Sequence, residues 1–308
     1  MVSLDFTQSL ADPNLSLCSA GILMLLYVDD ISMLYPKDGN KAAIEVKARL
    51  SEKYKITNLG PACQFLGIEI HHEENSTGIS LGQKTFITTI LKRFNMPNAH
   101  DVSTPMDPNV KLDLAEDWGE KELKDIKGYQ AIVGSMMYAA LATRPDISFA
   151  VAALCRYNSH PFTSHLTATK GVLQYLKCTA NFRLHFSSSS SSTDSNDQLT
   201  GYTDLDWAND SADSKSQGGH VFLLSNGAVS WQSRKQDLIA MSTLEAEYIA
   251  CSEGSREAKW LLQLHRDIHG KDASPLLINC DYQGALSHIT TGIIEARTKH
   301  VDVCYQNS

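Results

Sequence analysis

The first clear pattern of apolar and polar positions is "LMLLYVDDISMLYP" (23 to 36). Ile22 to Val28 and Ile31 to Tyr35 read as two buried strands that meet at Asp29 and Asp30. Over residues 38–54, Ala43, Val46, Leu50 and Tyr54 recur at helical spacing and predict an amphipathic helix. "FLGIEIHH" (65 to 72) and "GISLG" (78 to 82) predict a hairpin. Ile87, Ile90, Leu91 and Phe94 predict a helix over 83–94 that stops near Pro97. Residues 98–127 are polar, carry Pro105 and Pro108, and read as an irregular connection. Helical spacing then returns over about 127–142, 146–157 and 164–179, the first two broken at "TRPD". Met136, Met137 and Tyr138 are expected in the core.

The pattern stops at Ser187, where "SSSSSSTDSND" has nothing to bury and reads as a flexible linker. Beyond it the order becomes strand, strand, strand, long helix, strand, with a hairpin turn at Asn226-Gly227 and a helix start at Ser242. The expected organisation is therefore 1–105, a helical connection over 106–186, a linker over 187–198, and a second domain over 199–308. The fold class is mixed α+β.

Composition narrows the function classes. The chain has 308 residues, 43% of them apolar, and seven cysteines without a Cys-x-x-Cys pair. Neither a zinc knuckle nor a disulfide framework is suggested, and a reducing compartment fits best. The longest apolar run, Gly21 to Val28, is too short to span a bilayer. Asp5 and Asp12 precede it, and no Lys or Arg does, which argues against a signal peptide. A net charge of −8 argues against tight nonspecific nucleic-acid binding by the whole surface. A local basic groove or a metal-mediated site stays open.

The acids carry the chemistry. Asp29 and Asp30 repel each other unless a cation lies between them. A second set is spread over the last domain: Asp204 in "GYTDLDWAND", Glu247 on the long helix, Asp281 after "LLINC", and Asp302 with His300 in "RTKHVDV". Ser242-x-x-Glu245 is a capping box, which gives Glu245 a structural task. Glu247 has no such task and stands beside the apolar stripe of Leu244, Tyr248, Cys251, Ala258 and Leu262. Convergent carboxylates of this kind suit hard divalent cations such as magnesium, and two such ions serve in-line displacement at a phosphodiester. The alternative is that these are surface acids, of which the chain has 35.

In order, "LLYVDDISML", "NLGPACQFLGIEI", "QKTFITTILKRFNM", "YQAIVGSMMYAALATRPDISFAVAALCRY" and "HLTATKGVLQYLKCT" resemble the reverse transcriptase and connection segments of copia-type LTR retrotransposon Pol polyproteins. "GYTDLDWAND", "GAVSWQSRKQ", "STLEAEYIACSE", "INCDYQGAL" and "ARTKHVDV" resemble their RNase H domain. The resemblance implies a partial palm and thumb followed by a ribonuclease H-like domain. It implies that Asp29 and Asp30 are polymerase metal ligands. It also implies that Asp204, Glu247, Asp281 and Asp302 bind Mg2+ or Mn2+ for hydrolysis of RNA in RNA–DNA hybrids. Implied partners are hybrid, template-primer and the other Pol segments, with no membrane; the implied compartment is a cytoplasmic particle or the nucleus.

The family takes a third polymerase aspartate from an earlier strand, which the 28 residues before Asp29 are expected not to supply. It also continues past "KHVDV" into a full helix, and Leu205 stands where many relatives have serine. Truncation at both ends, loss of polymerase activity and weak or absent RNase H activity are therefore expected. The competing readings are an inactive remnant that binds hybrid or a partner chain, and a generic nuclease on the same fold.

Overall fold

The computed structural model describes residues 5–72, 78–107, 112, 121–187, 198–206, 215–237, 243–271 and 276–280. Of the expected linker over 187–198, residues 188–197 lie outside the described residues. Two compact units emerge: residues 1–66 with 256–276, and residues 67–255 with 277–308.

In the first unit, β1 (Phe6–Gln8), β2 (Leu15–Cys18), β3 (Leu23–Tyr27) and β4 (Asp30–Leu34) form an antiparallel sheet in that order. β1 and β2 add to the expected hairpin, and strands of three and four residues carry too little alternation to be read from sequence. α1 (Asn40–Lys53) buries Ala43, Val46 and Leu50 against Phe6, Ile22 and Met24. Tyr54, expected on the same stripe, has already left the helix: its backbone is extended and its ring is half exposed. A two-residue strand follows, β5 (Gln64–Phe65).

The long helix α6 (Thr243–His269) gives its second half to this unit. There the Asp267 carboxylate accepts from Ser9 Oγ at 2.6 Å and from the N–H groups of Leu10 and Ala11 at 2.8 and 3.0 Å. Trp260 Nε1 donates to the Ala11 carbonyl at 3.0 Å. These bonds clamp the β1–β2 connection to α6 and satisfy backbone groups that a tight loop leaves open.

The second unit holds two sheets and a helical core. β6 (Ile68–His72) pairs antiparallel with β7 (Ile79–Gly82), which pairs with β8 (Arg183–Phe186). α2 (Lys84–Arg93), α3 (Ile126–Ala142), α4 (Ser148–Cys155) and α5 (Thr163–Cys178) match the expected helices within a few residues. Ile87, Ile90, Met136, Leu154, Leu173 and Leu176 meet in their common core. Only Met136 of the expected trio is buried there; Met137 and Tyr138 are each 39% exposed, because they fall on the outer side of α3. Tyr138 instead packs edge-on against Phe86.

At "TRPD" the helix break has a purpose. Arg144 is 1% exposed, and its guanidinium donates to both carboxylate oxygens of Asp146 (Nε–Oδ1 2.9 Å, Nη2–Oδ2 2.7 Å) and to the Thr179 carbonyl (Nη1, 3.1 Å). Tyr175 Oη donates to the same Asp146 at 2.9 Å.

The last sheet runs β11 (Gly227–Lys235), β10 (Gln217–Leu224), β9 (Thr200–Asp206), β12 (Leu277–Cys280). Its first three strands are antiparallel neighbours, and β12 is parallel to β9. The tight turn is Ser225–Asn226, both at positive φ (50° and 66°), one residue earlier than expected. Gly227 serves close packing instead: a Cβ there would stand 2.4 Å from the Phe186 ring. Trp231 on β11 donates its indole N–H to the Ala140 carbonyl at 2.8 Å, capping an orphan acceptor at the end of α3.

Candidate functional site

The first pair of acids sits at the tip of β3–β4. Tyr27 pairs with Asp30, so the two turn residues are Val28 and Asp29, and Asp30 already belongs to the ladder. The expected turn at Asp29-Asp30 is displaced by one residue. Val28 has φ +52°, a conformation that a β-branched side chain adopts only under strain, and it is 80% exposed. Asp29 and Asp30 are both exposed. Their oxygens are available to a hard cation or to solvent.

Of the second set, Asp204 and Glu247 lie among the described residues, and the topology sets the elements that carry them. β9, β11 and β12 run in one direction, so β11 delivers the chain to the same edge at which β9 and β12 end. α6 starts there. Asp204 lies in the last half of β9, and Glu247 in the second turn of α6. β12 ends with Cys280 beside Thr203, so the next residues in sequence are Asp281 and Asp204. Open α/β sheets place ligands at this carboxyl edge.

The helix lies close on the strand because the facing residues are small. A Cβ on Gly254 would stand 2.5 Å from Thr203 Cγ2, and Thr203 Oγ1 is 3.7 Å from Cys251 Sγ. Burial pushes the Cys251 thiol up to about 12, Thr203 opposing and the Glu247 charge one turn away adding to the rise. Glu247 is 5% exposed. Asp204 is exposed, and its Oδ1 accepts from the Leu205 N–H at 2.9 Å. Asp204 thus follows Thr203 on the strand with its side chain on the opposite face, and Glu247 precedes Cys251 by one turn of the helix.

Two expectations shift. Glu245 is as buried as Glu247, so burial does not separate them, and its expected partner Ser242 lies outside the described residues. The buried stripe of α6 is Ala246, Ile249, Ala250, Cys251, Ala258 and Leu261, rotated from the expected one towards small residues. Cys251 and Ala258 are buried as expected, Tyr248 and Leu262 only partly so, and the Leu244 side chain lies outside the described residues. Asp281, His300 and Asp302 lie outside the described residues. Among the described residues no three His, Cys, Asp or Glu side chains converge as a metal cluster, and no helix is long and apolar enough to cross a membrane. The supporting Thr203–Gly254 contact escaped sequence reading, since a glycine inside a helix signals close packing only once its neighbour is known.

Residues 5–108 match the family described as reverse transcriptase (RNA-dependent DNA polymerase). The chain is 39% identical, over 92% of its length, to the retrovirus-related Pol polyprotein from transposon TNT 1-94 of Nicotiana tabacum, and covers 21% of that protein. It is 33% identical over 99% of its length to the Pol polyprotein from transposon RE1 of Arabidopsis thaliana, covering 20% of it. A putative transposon Ty5-1 protein of Saccharomyces cerevisiae is 33% identical over 75% of this chain and 72% of its own length. The chain spans about one fifth of the length of the two plant relatives.

Proposed function

The chain belongs to the Pol polyproteins of copia-type retrotransposons, and within that family we propose that residues 199–308 hydrolyse the RNA strand of RNA–DNA hybrids. The supporting observation is the end of the sheet at which β9 and β12 stop and α6 begins, these being the elements that carry Asp204 and Glu247 and that precede Asp281 in sequence.

The donor set fits magnesium or manganese: carboxylate oxygens with no sulfur or imidazole among the proposed ligands. A Glu247 side chain only 5% exposed concentrates negative charge that a divalent cation would neutralise. Asp204 and Glu247 would hold the ions with Asp281 and Asp302. Such ions, when bound, stabilise the attacking and leaving oxygens at a phosphodiester. The protein's part is rigidity. Asp204 is fixed by the ladder of β9 with β10, and Glu247 by a helix whose small residues seat it on that strand. Carboxylates held this way keep a hydrolytic geometry that a loop would blur.

Residues 5–108 form part of the reverse transcriptase. There Asp29 and Asp30 would contribute two oxygen ligands for the ions that meet template-primer and nucleotide, on a hairpin whose strained Val28 fixes the tip. The remaining Pol segments are the proposed partners in assembling that site.

The test is cleavage of an end-labelled RNA–DNA hybrid by the purified chain with magnesium. The wild type should cut the RNA strand, and Asp204→Asn should not. A wild type no faster than Asp204→Asn would refute the reading, and hybrid binding without cutting would favour the inactive remnant.

A further inference from the structure

Two thiols meet beneath the proposed hydrolytic site without belonging to it. Cys251 is buried on the face of α6 that lies on the sheet, and Cys280, the last residue of β12, is partly buried. The parallel register sets Cys280 beside Thr203, and residues paired in this way project to the same side of a sheet. Thr203 Oγ1 lies 3.7 Å from Cys251 Sγ, so that side is the one facing α6. The helix approaches closely here, with Ala250 Cβ 3.9 Å from where a Cβ on Gly218 would stand and Gly254 almost touching Thr203. Cys251 and Cys280 are thus both neighbours of Thr203 on the face of the sheet turned to α6. Both are free thiols.

We infer that Cys251 and Cys280 are a reversible disulfide site which, once oxidised, staples α6 to β12 and switches the hydrolytic site off. The oxidant is a peroxide or a low-molecular-weight disulfide. With hydrogen peroxide, one thiolate takes an oxygen to give a sulfenic acid and hydroxide, which takes up the released proton to become water. The second thiol then displaces the sulfenic oxygen as a second water and forms the S–S bond. Two protons and two electrons leave the pair, and one peroxide becomes two waters. Glutathione disulfide accepts the same two electrons and two protons through a mixed disulfide and leaves two glutathione thiols. A dithiol reductant reverses either route.

The consequence follows from geometry. A disulfide fixes about 2.05 Å between sulfurs and a narrow range of backbone separations, so it ties the end of β12 to α6 in one geometry. Asp281 follows Cys280, Asp204 follows Thr203, and Glu247 precedes Cys251 by one turn. A displacement of about 1 Å at such ligands costs on the order of a hundredfold in rate. The switching half of the inference rests on the hydrolytic reading above; the pairing does not.

The experiment treats the full chain with hydrogen peroxide or with a glutathione redox buffer and maps peptides without reduction. Hybrid cleavage is followed before oxidation, after it, and after dithiothreitol. The expected results are a Cys251–Cys280 crosslinked peptide, a fall in cleavage of at least tenfold, and full recovery on reduction. Cys280→Ser should cleave like the reduced wild type and ignore the oxidant. Thiols that oxidise separately, with no crosslinked peptide, would overturn the inference. So would a crosslinked chain that cleaves as fast as the reduced one. A reduced chain that cleaves nothing would sink the hydrolytic reading and the switch together, while the peptide map still decides the pairing.

Discussion

Arg144→Leu is the most informative single perturbation of the fold. Arg144 is 1% exposed and answers three demands at once: the Asp146 carboxylate, the Thr179 carbonyl and hydroxyl, and two rings. Its Cζ lies 5.6 Å from the centre of Tyr175 and 5.5 Å from that of Phe182. Leucine fills part of the volume and takes the guanidinium donors from Asp146 and Thr179, leaving Asp146 the Tyr175 hydroxyl. Breaking a buried pair from one side costs about 3–5 kcal/mol. The Asp146 side chain is 31% exposed and can recruit water, which favours the lower end. A loss of about 3 kcal/mol corresponds to roughly 6–12 °C in a domain of this size. Denaturant titration followed by circular dichroism measures it. Arg144→Lys should recover less than half of the loss, because an ammonium cannot reproduce the planar fork. Arg144→Leu combined with Asp146→Leu should cost less than the sum of the two single changes, by at least about 1 kcal/mol. A single Arg144→Leu change costing under about 1 kcal/mol would refute the reasoning.

Three further outcomes are expected. Hydrogen bonds from Ser9, Ala11, Gln263 and Leu10 hold the Asp267 carboxyl down at about 2, well below the usual carboxylate range. Its contribution to stability is therefore complete above the unfolded value and lost as pH falls through about 2. The difference in thermal midpoint between wild type and Asp267→Asn should shrink across that window, and a constant difference would contradict the clamp. Gly254→Ala forces a Cβ to 2.5 Å from Thr203 and should destabilise by about 1–3 kcal/mol, whereas Gly171→Ala on α5 meets nothing within 4 Å and should stabilise by up to about 1 kcal/mol. Chemical denaturation of both variants checks that opposite pair of signs. Val28→Gly should relieve the strained turn and stabilise by up to about 1 kcal/mol, read the same way, because an 80% exposed side chain has little packing to lose.

Much of the element order was legible because long stripes carry their own evidence. Ile87, Ile90 and Leu91 on α2, and the strand–strand–strand–helix–strand run after the serines, needed only period and turn signals. Turns were found but misplaced by one residue, at Val28–Asp29 and at Ser225–Asn226; in the second, residue type cannot separate a glycine that turns from one that packs. Gly227 is the packing kind. The stripe on α6 was legible in part: Cys251 and Ala258 are buried as expected, while Ala246, Ala250 and Gly254, too small to mark a stripe, are buried beside them. Arg144 escaped altogether, since a charged residue beside a proline reads as a surface break until Asp146 and Thr179 fold around it. The carboxylates of the candidate site were legible as types and spacings; what sequence alone could not supply is the common edge at which β9 and β12 end and α6 begins.

That common edge is tested most directly by comparing Glu245→Gln and Glu247→Gln on labelled RNA–DNA hybrid across magnesium concentrations, with circular dichroism confirming that both variants fold. Both glutamates are buried in the first turns of α6, so burial alone would make the two changes equivalent. Changing even an outer partner of a metal ligand costs about 10–100-fold, so loss of a ligand itself should cost at least that. The expected result is cleavage by Glu245→Gln within a few-fold of wild type and loss of at least about a hundredfold in Glu247→Gln, undiminished at high magnesium. Equal rates in the two variants would contradict the assignment of Glu247 to the hydrolytic site.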